Sequence, residues 1–142
     1  MAFDDLYQEI ILDHYKRPRN SVDLSALPSE YTHENPTCGD SLKLVVESDD
    51  DGRIESVKFD GTGCAISMAS ASMMTDLLRG KTRSEAHDIA AQFTGVMRGE
   101  RQVSELEEYG DLAALGGVAQ FPLRIKCATL AWHAFERSAP LD

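Results

Sequence analysis

The sequence is poor in cysteine, with three in 142 residues, and poor in cations, with 14 lysines and arginines against 24 aspartates and glutamates. Three is an odd number and too few for a disulfide scaffold, which is therefore the weakest reading of Cys38, Cys64 and Cys127. Buried thiols, metal ligands or nucleophiles remain. The formal net charge of −10 argues against a nucleic-acid surface, because phosphate binding is driven by clustered lysine and arginine. It argues equally against attraction to an anionic membrane. No run approaches the roughly 18 consecutive apolar residues of a membrane span, and Met1 to Lys16 carries charges throughout, unlike a secretory leader. A soluble, cytoplasmic protein is expected.

What is present fits one domain over residues 1–142, long enough to bury a core, without internal repeat, linker or low-complexity tract. Phe3, Leu6, Tyr7, Ile10 and Ile11 recur at helical spacing, with Asp4 and Asp5 in the first turn and Lys16-Arg17 ahead of Pro18, which predicts a first helix. Residues 19–37 hold Pro28 and Pro36 and read as loop, with one short strand near Tyr31 to His33. Ser41–Ser48 and Arg53–Asp60 alternate in polarity around the acid-rich turn Asp49-Asp50-Asp51-Gly52, a hairpin signal.

Helices dominate the rest of the chain. Cys64 to Arg79 reads as a helix stopped by Gly80, and Thr82-Arg83-Ser84-Glu85 is a capping-box pattern opening another that runs towards Arg98. A short helix is expected around Leu106 to Leu115, and a last one from Pro122 to about Arg137. Strands come early and helices late, so the class is α+β, a small antiparallel sheet packed against helices.

On that scaffold the thiols take particular positions. Cys38 and Asp40, two apart at the entry to the hairpin, project to the same side of extended chain. Cys64 follows Gly61-Thr62-Gly63 at a helix N-terminus, where free N–H groups and the macrodipole favour the thiolate. Cys127 lies off the final helix's apolar stripe of Phe121, Ile125, Ala128, Trp132 and Phe135, on the flank of Arg124. Three thiols and a carboxylate are four donors, the tetrahedral number for zinc and also a set for an iron–sulfur cluster. Free cysteine is also among the most buried residue types, so a purely structural reading stays open.

His14, His33, His87 and His133 lack any mutual metal-ligand spacing and read as helix or loop surface residues. Lys16, Arg17 and Arg19 form a basic spot that serves either a partner or the C-terminus of the first helix. Met68, Met73 and Met74 read as core.

The stretches NPTCGD, GTGCAISMASASMMTDLLRGK and RIKCATLAWHAF, with LYQEIILDHYKRPRN ahead of them, resemble the U-type iron–sulfur assembly proteins, the family of SufU, IscU and the NifU N-terminal domain. The resemblance spans essentially the whole chain. It implies the IscU-type fold, with a metal site made by Cys38, Asp40, Cys64 and Cys127. Where IscU-like scaffolds carry a histidine before the last cysteine and a Leu-Pro-Pro-Val-Lys segment upstream, this chain has Lys126 and Phe121-Pro122-Leu123-Arg124-Ile125. The 62 residues between Cys64 and Cys127 also exceed the IscU spacing, so the nearer resemblance is to the SufU branch.

That branch implies a zinc-dependent sulfurtransferase partnered by a SufS-type cysteine desulfurase and feeding SufBCD-type cluster assembly machinery. By the same resemblance, a histidine lent by the desulfurase displaces Cys38 from zinc, and Cys38 then takes the persulfide sulfur. The choice of Cys38 agrees with its place on a loop, whereas Cys64 and Cys127 are anchored on helices. Arg124 is expected to stabilise the thiolate or steer the incoming persulfide, and Asp40 to hold the zinc through the exchange. The alternatives are a scaffold that binds Fe2+ or assembles and hands on a [2Fe-2S] cluster, and a structural zinc-binding domain.

Overall fold

The computed structural model describes residues 5–35 and 39–139. Helix α1 (Asp5–Lys16) leads to a single 3-10 turn at Ser29–Tyr31 and then to strands β1 (Thr32–Asn35), β2 (Asp40–Ser48) and β3 (Ile54–Thr62). Helices α2 (Ala65–Leu78) and α3 (Arg83–Met97), a 3-10 segment (Val103–Gln120) and helix α4 (Pro122–Ser138) complete the order. The sheet is antiparallel with order β1-β2-β3, as the α+β reading expects.

Alternation sets which face of the sheet is buried. Asp40, Leu42 and Leu44 share one side of β2 and are all buried, so period-two parity places the carboxylate of Asp40 on the same inward face as two core leucines. Leu44 pairs with Phe59 and Val46 with Val57, but a register shift at Glu47/Ser48 brings Ser48 opposite Ile54. This irregularity lets Ile54 and Val57, three apart, both point inward. In the turn, Asp49 Oδ1 accepts the amides of Asp51 and Arg53 at 2.9 and 3.0 Å while Gly52 takes a φ of +81°, so the acidic run is a solvated turn.

Helix α2 is the centre of the molecule. Ser67 to Thr75 is buried without interruption because the helix is pressed by α1, α4, β3 and the 3-10 segment together. Its serines allow close approach and then bond across it: Ser70 Oγ donates to the Ala128 carbonyl at 2.6 Å and accepts from Trp132 Nε1 at 3.2 Å. Met68, Met73 and Met74 are core, as expected. The cap of α3 is the predicted box, with Thr82 Oγ1 accepting the Glu85 amide at 3.1 Å and Glu85 Oε1 accepting the Thr82 amide at 2.9 Å. Thr82→Ala is expected to cost about 1 kcal/mol. The readout is a lower urea midpoint at constant m-value, and an unmoved midpoint would show that the cap is redundant here.

Several expectations need correction. The short helix expected over Leu106–Leu115 is a longer run of 3-10 turns, Val103–Gln120, broken at Tyr109 and at Gly110 with its φ of +62°. The loop after α1 is also more ordered than its prolines suggest. Asn20 and Val22 bond to the backbone of Phe59 at 3.1 and 3.0 Å, covering the outer edge of β3. Phe121, assigned to the apolar stripe of α4, is 42% exposed, because it precedes the helix and is not part of it.

His14 is the largest departure from its surface reading. It is only 2% exposed, its Nδ1 facing Ser72 Oγ at 2.7 Å and its Nε2 facing Asp111 Oδ2 at 2.9 Å. Ser72 Oγ also accepts the Arg19 amide at 2.8 Å, so His14 joins α1 to α2 through Ser72 and to the 3-10 segment through Asp111. Sequence spacing does not reveal this link, because Ser72 and Asp111 lie far along the chain. The basic spot is partly spent on α1 itself: Arg17 and Arg19 both pair with Asp13, at 2.9 and 2.8 Å. Hydrogen bonds from Arg19 and then Arg17 hold the Asp13 carboxyl below the ordinary carboxylate range.

Candidate metal centre

Three separate elements end at one point. Asp40 is the first residue of β2, Cys64 is the N-cap of α2 in extended conformation, and Cys127 sits in the second turn of α4. One carboxylate oxygen and the two sulfurs lie within 4.8 Å of one another. Asp40 is 3% exposed and Cys127 fully buried, while Cys64 is half-buried. Cys38 lies outside the described residues, two positions before Asp40. Arg124 is exposed, one turn before Cys127 on α4.

The local backbone is built to let these groups meet. At Gly63 a side-chain carbon would stand 2.7 Å from Asp40 Oδ1, and at Gly61 one would stand 2.6 Å from the Ser41 carbonyl oxygen. Both glycines are therefore spaces that the carboxylate and its strand occupy. Asp40 Oδ1 accepts the Cys64 amide at 3.2 Å, a free N–H at the start of α2, and Asp40 Oδ2 accepts a short hydrogen bond from the Ser67 hydroxyl. Ser67 Oγ also lies 3.6 Å from Cys64 Sγ.

These contacts set the chemistry of Cys64. Burial pushes its thiol up and the Asp40 charge adds to that push, but hydrogen bonds from the Ser67 amide, the Ser67 hydroxyl and the Cys127 thiol outweigh both, and the net shift is downward. Easy deprotonation of Cys64 was expected from its place at a helix N-terminus. Two thiols, one of them acidified, facing a buried carboxylate form a partial mixed sulfur and oxygen donor set. That set suits zinc or iron better than magnesium or calcium, which prefer all-oxygen shells. A fourth donor from the Cys38 position would complete a tetrahedron.

Residues 6–128 match the NifU-like N-terminal domain family. The chain belongs to that family. It is 46% identical over 134 residues to the zinc-dependent sulfurtransferase SufU of Bacillus subtilis, covering 94% of this chain and 89% of that protein. It is also 43% identical over 133 residues to the iron–sulfur cluster assembly scaffold protein IscU of Streptococcus pyogenes, covering 94% of this chain and 82% of that one. Among solved structures, a candidate iron–sulfur cluster assembly scaffold for the SUF system of Fervidobacterium islandicum superposes with a TM-score of 0.77 at 28% identity, covering 96% of each chain. The fold expected from the NifU-like resemblance is thus the fold found.

Sequence reasoning named Asp40, Cys64 and Cys127, which the fold brings together, but passed over Ser67 and the spatial role of Gly63. The signal for Ser67 was present: a residue three positions after an N-cap lies on the same face of the first turn. It was hidden by the small-residue character of the whole of α2. Among the described residues no helix is long and apolar enough to cross a membrane.

Proposed function

We propose that this protein is a zinc-dependent sulfur-transfer protein of cytoplasmic iron–sulfur cluster assembly, which takes sulfur from a SufS-type cysteine desulfurase on Cys38 and feeds SufBCD-type machinery. The observation that carries the reading is the convergence of Asp40, Cys64 and Cys127 within 4.8 Å. Identity of 46% to a relative named a zinc-dependent sulfurtransferase supports it. Zinc held by Cys38, Asp40, Cys64 and Cys127 would keep its thiol ligands deprotonated near neutral pH.

The chain's own residues divide the work. Cys64 and Cys127 are held by helices α2 and α4, and Asp40 by β2, so these three are the fixed groups. Cys38 is the acceptor: its thiolate attacks the outer sulfur of the desulfurase persulfide, and a new sulfur–sulfur bond forms on Cys38. The old sulfur–sulfur bond breaks, and its electron pair returns to the desulfurase cysteine as a thiolate. No external oxidant or reductant is consumed. Arg124, exposed one turn before Cys127, would stabilise the anionic sulfur on arrival.

The second reading, a scaffold for a [2Fe-2S] cluster, is favoured by the 43% identity to a relative named IscU. The histidine that resemblance associates with scaffolds is replaced here by Lys126. One experiment separates the two. The protein added to its partner desulfurase is expected to accelerate conversion of cysteine to alanine and to gain the mass of one sulfur atom. Cys38→Ala, shown to be folded and zinc-loaded, is expected to do neither. If Cys38→Ala stimulates the desulfurase as well as the parent does, sulfur transfer on Cys38 is lost. A coloured cluster assembled from iron and sulfide, and passed to an apo-protein without zinc, would establish the scaffold.

A further inference from the structure

We propose that Ser67 is a positioning residue of this centre, its hydroxyl pinning the Asp40 carboxylate so that it faces Cys64 and Cys127. The inference rests on the reading that Asp40 and the thiols share one metal, and it adds a residue that is not itself a ligand.

Ser67 is 1% exposed and sits in the first turn of α2, three residues after Cys64. At that depth the hydroxyl is shielded from bulk solvent. A serine hydroxyl has one proton to give, and two acceptors are in reach: Asp40 Oδ2, by a short bond, and Cys64 Sγ at 3.6 Å. The carboxylate is the stronger acceptor and the nearer, so the hydroxyl donates chiefly to Asp40 and only weakly to Cys64.

With Oδ1 held by the Cys64 amide at 3.2 Å, both oxygens of Asp40 are tethered. Each carboxylate oxygen has two lone pairs, so each tether leaves one free for a metal. Both tethers come from the start of α2, the element that also carries Cys64, and thereby lock the carboxylate to the neighbouring thiol. Without the Ser67 hydroxyl, Asp40 keeps one tether, turns about it, and leaves a buried anionic oxygen without its donor. Removing an outer partner of a metal ligand typically weakens metal binding about 10–100-fold.

The test uses the full chain loaded with zinc, with Ser67→Ala, Asp40→Ala and the double variant, each checked for fold by circular dichroism. Zinc loss to a chromophoric chelator is followed, and oxygen and sulfur neighbours are counted by zinc-edge X-ray absorption. Ser67→Ala is expected to weaken zinc binding about 10–100-fold and to lower the oxygen count. In the Asp40→Ala background the same change is expected to matter by less than about two-fold, because Ser67 acts through Asp40. Ser67→Thr, which keeps the hydroxyl, is expected to retain zinc within about three-fold of the parent, a margin inside the usual scatter of mutational effects.

Equal losses in both backgrounds would make Ser67 a general packing residue and overturn the proposal. So would a folded Ser67→Thr variant that sheds zinc ten-fold faster than the parent, or a Ser67→Ala variant indistinguishable from it. A parent chain that holds zinc through Asp40 while Ser67→Ala has no effect defeats only this inference. A parent chain that binds no zinc defeats the proposed function with it.

Discussion

Replacing Trp132 with alanine is expected to cost about 3–5 kcal/mol, a large fraction of the about 5–15 kcal/mol by which native domains are stable. Trp132 is the sole tryptophan and is fully buried on α4. Its indole lies 5.1 Å from the ring of Phe93 at an interplanar angle of 28°, and its N–H donates to Ser70 Oγ at 3.2 Å. One side chain thus joins α4 to α3 and to α2. Its removal opens a cavity where those helices meet, and a close-packed interior refills such a space only in part. Trp132→Phe keeps most of the volume and loses the hydrogen bond, for an expected cost of about 1–2 kcal/mol. Urea unfolding followed by far-UV circular dichroism measures both. An alanine variant within 1 kcal/mol of the parent would show that α4 does not depend on this contact.

The second large effect concerns the proposed zinc. Stripping zinc is expected to lower the melting temperature by on the order of 10 °C, and Cys127→Ala is expected to abolish the stabilisation that added zinc restores. The donors come from β2, the start of α2 and the interior of α4, which approach one another only in the folded chain. A metal bound there stabilises the native state and not the unfolded one. At a thousand-fold excess over its dissociation constant such a ligand contributes about 4 kcal/mol. Thermal melts before and after confirmed removal of zinc, with and without re-addition, measure the shift. An unchanged curve would mean that β2, α2 and α4 are held by their core alone and that the metal has a purely chemical role.

Fully buried Cys127 separates two roles that are easily confused. It is inaccessible as a nucleophile, yet it is well placed to fix a metal against α4. Half-buried Cys64, with its thiol drawn down by Ser67 and Cys127 against the push of burial, is the more reactive of the two described thiols.

Much of this was readable from local pattern. Alternation along Ser41–Ser48 specified a strand and which of its sides is apolar, and Asp40 extends that parity onto the buried side. The Thr82–Glu85 box marked the start of α3, Pro122 the start of α4, and the glycines before Cys64 the place where β3 gives way to α2. Each of these signals acts within a few residues, where backbone sterics and short-range hydrogen bonds are decisive. Family resemblance supplied the expectation that Asp40, Cys64 and Cys127 share one site, which spacing left open because they are distant in sequence, and the fold brings these three together.

Contacts across the fold have no such local signal. His14 falls on the apolar face of α1, four residues after Ile10 and three after Ile11, but its polar ring can be buried there only because Ser72 and Asp111, brought in from 58 and 97 residues away, satisfy both ring nitrogens. Ser67 is one more small residue in a helix of small residues until β2 delivers a carboxylate to its hydroxyl. Propensity, capping and parity follow from the chain's own order. The burial of a polar group is decided by partners that arrive from elsewhere, because its cost depends on whether those partners are in place.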